Sequence, residues 1–337
     1  MMSEMQGNTS LCFHNNVYIL NSASIVGEKE GEGPYRDSFD KVETDPFFGM
    51  DTWEKAESKL QEQTAFLALE KQNLLPQDLR YIFAGDLLGQ EIATGFGMIT
   101  LGRPVFGLYS ACSTIGEALS LGAMTINAGY ADQVLSLASS HFASAEKQFR
   151  FPLEYGHQIP PSATRTVTGC GAFILNSKEG MAKITGITTG VIIDYGIKDA
   201  LNMGAVMAPA ACNTITRNFN DFDRKPHDYD KIITGDLGQV GKQLLFDLLG
   251  NEGIDISAQH MDCGIEIFDG ERQGTNSGGS GCGCSAAFLS AVILPKIASG
   301  EYKRILFVPT GALLSPVSSN EGQTIPGIAH AVVIEKV

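Results

Sequence analysis

The stretch YSACSTIGEALSLGAMTINAG, from Tyr109 to Gly129, decides the fold. An apolar run reaches Cys112, and the following segment, predicted helical over 113–128, is rich in Ala, Gly and Leu. A helix without a clear polar face is typical of a protein interior. The stretch therefore predicts a buried helix with a cysteine at its first turn.

Two interpretations of Cys112 stay open at this point. The N-terminus of a helix offers unpaired N–H groups and the positive end of the helix dipole, which lower the pKa of a thiol and favour a nucleophile. A cysteine is also a small hydrophobic residue that packs well in a crowded interior. The thiol either attacks a substrate or lines a pocket beside one.

Composition limits the class of protein. The chain has 337 residues, is 43% hydrophobic and carries a net charge of -14, so we expect no nucleic-acid partner and no unaided docking to an anionic membrane. The polar start predicts no signal peptide, and apolar runs such as 286–298 fall short of the roughly 20 residues that span a bilayer. Seven cysteines, an odd number, predict free thiols and a cytoplasmic protein.

Short apolar runs alternate with helical patterns and indicate an α/β protein with buried strands. A charged, Gly-rich segment over 28–49 is predicted to be a surface loop or flap, and a helix over 51–72 is predicted to begin with a capping box formed by Asp51 and Glu54. The predicted strands cover residues 17–20, 81–88, 105–111, 133–140 and 171–177.

The chain also repeats itself in order. DLRYIFAGDLL (78–88) resembles DYDKIITGDLG (228–238), the segment 111–140 resembles 283–312, and GCGAFILN (169–176) resembles IAHAVVIE (328–335). Three matches in the same order predict two topologically similar halves, which we place at 1–180, carrying Cys112, and 181–337.

A duplicated α/β chain with a cysteine heading a small-residue helix resembles the thiolase and ketoacyl-synthase superfamily. The resemblance implies two similar halves whose mixed sheets pack around buried central helices. Within that superfamily the chain is most similar to the stage V sporulation AD family of spore-forming bacteria. The motifs that carry this likeness span most of the chain and include FAGDLLGQ, ACSTIGEAL, TRTVTGCGAFIL, ITGDLGQVG, GGSGCGCSAA and PTGALLSP.

This second resemblance implies a protein that binds dipicolinic acid (pyridine-2,6-dicarboxylate), with calcium accompanying the ligand and no other cofactor. It implies uptake of that ligand into the developing spore, at the membrane, with membrane proteins of the same operon. A homodimer is expected by analogy with the superfamily.

The resemblance also indicates lost catalysis. In ketoacyl synthases a histidine follows the strand of the second half, and here Asp236 stands at that place. The Gly-rich loop SGGSGCGCSAA offers neither the asparagine of that class nor the Gly-His-Pro motif of thiolases. Without an imidazole, general acid–base help of about 10²–10⁴-fold would be missing. We therefore expect no enzyme.

Two histidines are candidates for the pocket. His141 follows the strand 133–140, at the edge where open α/β sheets bind ligands, and His330 lies in the last repeated motif. For each, the alternative is a buried imidazole bonded to backbone.

Charged residues complete the candidate site. A dianionic ligand favours arginine, and Arg150 or Arg165 could supply it, although either could instead fix a loop. Asp86 and Asp236 occupy the same turn in the two halves and could cap helices or reach the ligand, directly or through calcium. The pair in GCGC (281–284) does not have the spacing of a zinc site, so we expect small residues packed closely there.

Three functions therefore compete. The first is a non-catalytic binding protein for dipicolinic acid. The second is an acyl-CoA-dependent condensing enzyme or acyltransferase that uses Cys112, and the third is a scaffold without a small-molecule ligand. The net negative charge is unfavourable for the acyl-CoA-dependent enzyme, since no basic cluster is evident for the phosphates of coenzyme A.

Overall fold

A computed structural model describes residues 4–149 and 159–337 as a mixed α/β protein. The strands are β1 (Met5–Gln6), β2 (Ser10–Cys12), β3 (Tyr18–Gly27), β4 (Lys41–Glu43), β5 (Tyr81–Gly85), β6 (Val105–Gly107), β7 (Gln133–Ser140), β8 (Arg165–Thr166), β9 (Gly169–Asn176), β10 (Ala182–Thr188), β11 (Lys231–Thr234), β12 (His260–Asp262), β13 (Gly279–Ser280), β14 (Arg304–Val308), β15 (Thr310–Ala312), β16 (Gly327–Ala329) and β17 (Ala331–Glu335).

The helices alternate with these strands. They are α1 (Glu28–Gly31), α2 (Trp53–Glu70), α3 (Ile92–Gly97), α4 (Thr114–Asn127), α5 (Phe142–Phe149), α6 (Met203–Phe222), α7 (Gly238–Asn251), α8 (Cys263–Ile267), α9 (Gly270–Gln273), α10 (Cys282–Phe288), α11 (Leu294–Ser299) and α12 (Pro316–Asn320).

The large sheet is symmetric about its middle. Its strand order is β12-β11-β14-β17-β10-β3-β9-β7-β5-β6, and β10 meets β3 through only two residue pairs. On either side of that junction, two antiparallel neighbours are followed by parallel ones. Each half therefore forms its own mixed half-sheet, with the same order read outward.

Alternating side chains in the strands separate three cores. In β7, Leu135 and Leu137 pack with α2 on the outer face, whereas Val134 and Ala138 face the central helices. In β14, Leu306 and Val308 likewise pack in the core with α6 and α7, on the opposite outer face. Both half-sheets are covered on both faces, which gives five layers with α4 and α10 in the middle.

The central layer is the most buried part of the fold. Every residue of α10 is buried, and a π-helical turn over Leu289–Ile293 joins it to α11. The segment Cys282–Ser299 has the length and apolar composition that could cross a membrane, but 78% of it is buried inside the protein. Its apolar character is explained by its place between the two half-sheets.

The sequence repeat corresponds to repeated structure. A 3₁₀ turn over Pro76–Asp78 precedes β5, and one over Pro226–Asp228 precedes β11. The predicted match between 169–176 and 328–335 corresponds to β9 and to β16 with β17. The division of the chain at residue 180 stays a prediction.

Three local predictions of secondary structure were wrong in detail. Thr52, not Asp51, caps α2, accepting a hydrogen bond from Lys55 N, while Asp51 pairs with Lys55 through its side chain. The segment 28–49 is not only a loop, because it contains α1 and β4 and buries Glu30. The predicted strand over 105–111 is shortened to β6, which is an exposed sheet edge and not a buried strand.

We expect the close packing of α10 to be sensitive to one methyl group. A Cβ at position 283 would lie 2.1 Å from Gly169 O, a backbone atom of β9. Gly283→Ala should therefore lower the free energy of unfolding by roughly 1–3 kcal/mol, the usual cost of overpacking.

Gly250 provides a matched control. It lies in α7, where an added Cβ would meet nothing within 4 Å. Gly250→Ala should be neutral or stabilising by up to about 1 kcal/mol, as in other exposed helix positions. Equal denaturation midpoints for the two variants would contradict the close packing of the central layer.

Candidate functional site

A cavity of about 310 Å³ opens between the two halves at the start of α4. Its volume is at the small end of the roughly 300–1,000 Å³ common for ligand pockets. The walls are mostly apolar, and they combine the ends of several strands and helices. The lining residues are Leu87, Tyr109, Ala111, Cys112, Ala145, Glu146, Phe149, Ile159, Thr164, Thr166, Ala200, Leu201, Met203, Met207, Asp236, Ser280, Gly281, Ala312 and Leu314.

The turn before α4 holds Cys112 in the cavity wall. Ala111 adopts a positive φ of 47°, which is uncommon for a residue with a side chain. Ser113, which follows Cys112, is held in place because its hydroxyl donates to Pro309 O at 2.7 Å and accepts from His330 N at 3.0 Å. Strands of the second half thus anchor the cysteine turn of the first half.

Asp236 follows β11 and reaches the same cavity from the other half. One carboxylate oxygen accepts from Thr310 Oγ1 at 2.8 Å, and the other accepts from Gly281 N at 2.9 Å. The Cys112 thiol lies next to this carboxylate, and the two groups interact electrostatically. Burial raises the pKa of Asp236 to about 7.

These surroundings hold Cys112 as a thiol. Burial raises the pKa of Cys112 well above its ordinary value, and the negative charge of Asp236 raises it further. This direction favours the second interpretation of Cys112, a residue that lines a pocket. At neutral pH the sulfur keeps its proton beside the carboxyl group of Asp236.

A carboxylate is a poor substitute for histidine as a partner of this thiol. When an imidazole takes the thiol proton, an attractive pair of opposite charges forms. When a carboxylate takes it, the single negative charge only moves from oxygen to sulfur. The arrangement can orient a thiol and accept hydrogen bonds from a ligand, but it does not generate a thiolate.

His141 lies outside the wall of the cavity. Its Nδ1 accepts from Ala143 N at 3.2 Å, so Nε2 carries the proton and donates to Pro46 O at 2.8 Å. The ring packs near Phe48 and Trp53. Burial lowers the pKa of His141, so the imidazole is neutral and ties the segment before α2 to the start of α5.

His330 also lies outside the lining. Its Nδ1 accepts from Gly190 N at 3.2 Å, and Nε2 donates to Ser110 Oγ at 3.1 Å. Burial lowers its pKa to about 4. The side chain therefore supports the cysteine turn through Ser110, and its predicted contact with a ligand stays a prediction.

Asp86 occupies the position equivalent to Asp236 but is enclosed. Its oxygens accept from Leu88 N and from both N and Oγ1 of Thr94, each at 2.7 Å. These bonds cap the first turn of α3. Its neighbour Leu87, rather than Asp86 itself, lines the cavity.

Of the two predicted arginines, only Arg165 lies within the described residues. Arg150 lies outside the described residues, directly after Phe149, which lines the cavity. Arg165 is in β8 with its guanidinium 3.8 Å from the centroid of the Phe142 ring, while its neighbours Thr164 and Thr166 line the cavity.

Several residues of the site were not predicted from the sequence. Thr310 and Gly281 hold Asp236, and Glu146 and Met203 contribute to the walls. Thr310 and Gly281 do lie in motifs that carried the family resemblance, PTGALLSP and GGSGCGCSAA. Their spatial relation to Asp236 was the missing information.

Metal chemistry has little support in the part of the chain that is described. All seven cysteines are free. Within residues 4–149 and 159–337, no group of three or more His, Cys, Asp or Glu side chains could hold a metal ion. In GCGC, Cys282 Sγ donates to Ser139 O at 2.8 Å, so this thiol is committed to packing.

Comparison with known proteins identifies the relatives of the chain. A family model described as stage V sporulation protein AD matches residues 7–335. Stage V sporulation protein AD of Bacillus subtilis is 39% identical over 333 residues, which cover 99% of this chain and 98% of the relative.

Solved structures with the same fold are more distant. A 3-oxoacyl-[acyl-carrier-protein] synthase III from Aquifex aeolicus aligns with a TM-score of 0.56 and 15% identity, over 98% of this chain and 100% of the other. OleA from Xanthomonas, solved with cerulenin bound, aligns with a TM-score of 0.59 and 16% identity, over 95% and 97%. They confirm the predicted thiolase-like fold.

The burial of Cys112 and the charge of Asp236 beside it predict slow alkylation. In the native protein we expect iodoacetamide to label Cys112 slowly at neutral pH, because the thiolate is rare. Asp236→Asn removes the neighbouring negative charge, so the thiol pKa should fall and labelling of Cys112 should become at least several-fold faster. Peptide mass spectrometry over a pH series measures both rates.

Cys12 serves as an internal reference, since it is also half-buried and lies in β2. Its labelling should be the same in both proteins. Slower labelling of Cys112 in the Asp236→Asn variant would contradict the inferred electrostatic effect.

Proposed function

We propose that this chain, which belongs to the stage V sporulation protein AD family, binds dipicolinic acid during spore formation without transforming it. The observation that carries the proposal is the placement of Cys112 beside Asp236 in the wall of a mostly apolar cavity between the two halves. A sporulation protein is the shared description of the family and of the relative. The ligand and its uptake into the spore are inferences beyond that description.

The absence of turnover follows from the state of the sulfur. Acyl transfer needs a thiolate, or a base that produces one during attack. Cys112 keeps its proton beside a carboxyl group, and no histidine is among the described lining residues. The thiol then serves as a hydrogen-bond donor and as part of the wall.

The dimensions of the cavity support a compact ligand with a flat ring. Its walls are largely apolar, with polar groups concentrated at Asp236, Thr164, Thr166 and Ser280. An apolar wall with a few convergent polar groups is usual for a small aromatic ligand. Dipicolinic acid carries a carboxylate on each side of such a ring.

Calcium would neutralise the negative charge of the ligand in this acidic cavity. The described lining contains Glu146 and Asp236 and no basic side chain. A free dianion is therefore opposed by the charge of the wall, whereas a one-to-one calcium chelate carries no net charge. Arg150, which follows a lining residue in the sequence, is the proposed basic contact from outside the described residues.

We place the protein in the cytoplasm, peripherally on the membrane of the developing spore, with membrane proteins of the same operon as partners. The net charge of -14 supports docking through such proteins, because anionic lipid would repel the chain.

A homodimer through β6 is part of the proposal. This edge strand is exposed along its whole length, and Phe106 is 51% exposed. Phe96 and Ile99, from the neighbouring helical segments, are 65% and 63% exposed. An exposed apolar sheet edge is a template for pairing with another strand, and a second copy would cover it.

The second candidate is a condensing enzyme or acyltransferase. The thiolase-like fold and the cysteine at the start of α4 favour it, and the solved neighbours include a synthase. It requires Cys112 to form a thioester, which is a directly measurable product.

Calorimetric titration with dipicolinate, with and without calcium, tests the leading function. We expect one ligand per chain. Ala200→Trp introduces a large ring at the lining and should weaken binding at least about tenfold, because it removes ligand volume. Ala128→Trp, at an exposed site after α4, is the matched control and should bind like the native protein.

A flat titration under both conditions would overturn the leading function. Intact mass after incubation with acyl-CoA tests the second candidate. An acyl adduct that is lost in Cys112→Ala, together with product formation, would establish the enzyme instead.

Light scattering tests the dimer. Phe106→Glu places a charge in the exposed edge and should convert the native dimer to a monomer. Tyr130→Glu, at a 74% exposed position after α4, should leave the dimer unchanged. A native protein that is monomeric at high micromolar concentration would contradict the proposal.

A further inference from the structure

Asp236 is a buried acid whose carboxylate accepts hydrogen bonds only from uncharged donors in the described residues. Thr310 accepts from Asp236 N at 3.3 Å, and its hydroxyl donates back to the carboxylate at 2.8 Å. Gly281 N donates to the other oxygen at 2.9 Å. These neutral donors orient the carboxylate without supplying a positive charge.

The ionisable groups that face Asp236 are thiols and carboxyls. They come from the start of α4, from the start of α10 and from the end of β12 and the start of α8. They are Cys112, Cys282, Cys284, Asp262 and Cys263. Glu146 adds a further carboxyl to the cavity wall, from α5.

An anion that enters this cavity meets a carboxylate in apolar surroundings. Two carboxylates that share such a site do not both stay ionised, and one proton is commonly held between them. The dyads of aspartic proteases show this behaviour. The same physics applies when one of the two carboxylates belongs to a ligand.

We propose that Asp236 is protonated when an anionic ligand is bound and that it donates a hydrogen bond to a ligand carboxylate. Each complex then holds one proton between the two carboxyl groups. The inference rests on the proposed function and names the group that recognises the anion. It makes Asp236 a specificity-determining residue, and it makes ligand affinity depend on pH.

The direction of the dependence follows from the free protein. Burial raises the pKa of Asp236 to about 7, so below that pH the proton is already present and affinity is independent of pH. Above it, binding must take up a proton, and the dissociation constant should rise by about tenfold per pH unit. The ligand carboxylates stay ionised throughout, since ordinary carboxyl groups titrate near pH 4.

Calorimetry with dipicolinate in calcium-free buffers tests the inference. Titrations in two buffers of different ionisation enthalpy give the number of protons taken up. We expect close to one proton per ligand at about pH 8.5 and close to none at about pH 6.

Two variants assign the proton to a residue. Asp236→Asn presents a neutral amide donor, so it should bind dipicolinate without proton uptake and with an affinity that is flat above pH 7. Glu146→Gln changes the other carboxyl of the described lining and should keep the native slope. Circular dichroism spectra and thermal unfolding confirm that both variants are folded.

The outcomes separate the two proposals. Binding without proton uptake in the native protein, or uptake that disappears in Glu146→Gln and persists in Asp236→Asn, overturns this inference and leaves the proposed function standing. Absence of dipicolinate binding at every pH overturns both.

Discussion

The burial of α4 and α10 between two half-sheets is the constraint on which the site depends. Two helices that share one central layer need small residues where backbone meets backbone, as at Gly283 against Gly169 O. The same crowding brings the starts of both helices to the junction of the halves. Cys112 from one and Gly281 from the other then share a cavity, where Asp236 accepts a hydrogen bond from Gly281 N and lies beside the Cys112 thiol.

At that junction the local charge outweighs the helix dipole. A helix terminus stabilises a charge by about 0.3–1 kcal/mol, and up to about 2 kcal/mol in favourable geometries. A unit charge at about 4 Å contributes about 4 kcal/mol at an effective dielectric constant of 20. Burial is the largest cause of the raised pKa of the Cys112 thiol, and the carboxylate of Asp236 beside it adds to that shift, so the two together outweigh the helix dipole.

The fold was predictable from the sequence because the repeat is a global signal, and a few shifted strand ends do not change it. The site was predictable only where a residue lies at the junction of both halves, as Cys112 and Asp236 do. His141 follows β7 as predicted, but its ring is turned by a bond from Ala143 N, two residues along the chain. Such local hydrogen bonds, and the exposure of β6 at a sheet edge, leave no periodic pattern in the sequence.

Within the described residues, the two halves differ in what lies beside the central helices. Cys282 heads α10 as Cys112 precedes α4, and the carboxyl groups that act on Cys282 are Glu57 and Asp86, followed by Asp236. On that side Gln61 of α2 fills the space, bonding to Thr94 Oγ1 and to Ser139 Oγ, while Ser139 donates to Glu57. In the equivalent space beside Asp236, α6 contributes the apolar side chains of Met203 and Met207 to the cavity wall. The space beside Glu57 and Asp86 is thus a packed polar cluster, whereas the space beside Asp236 is a cavity.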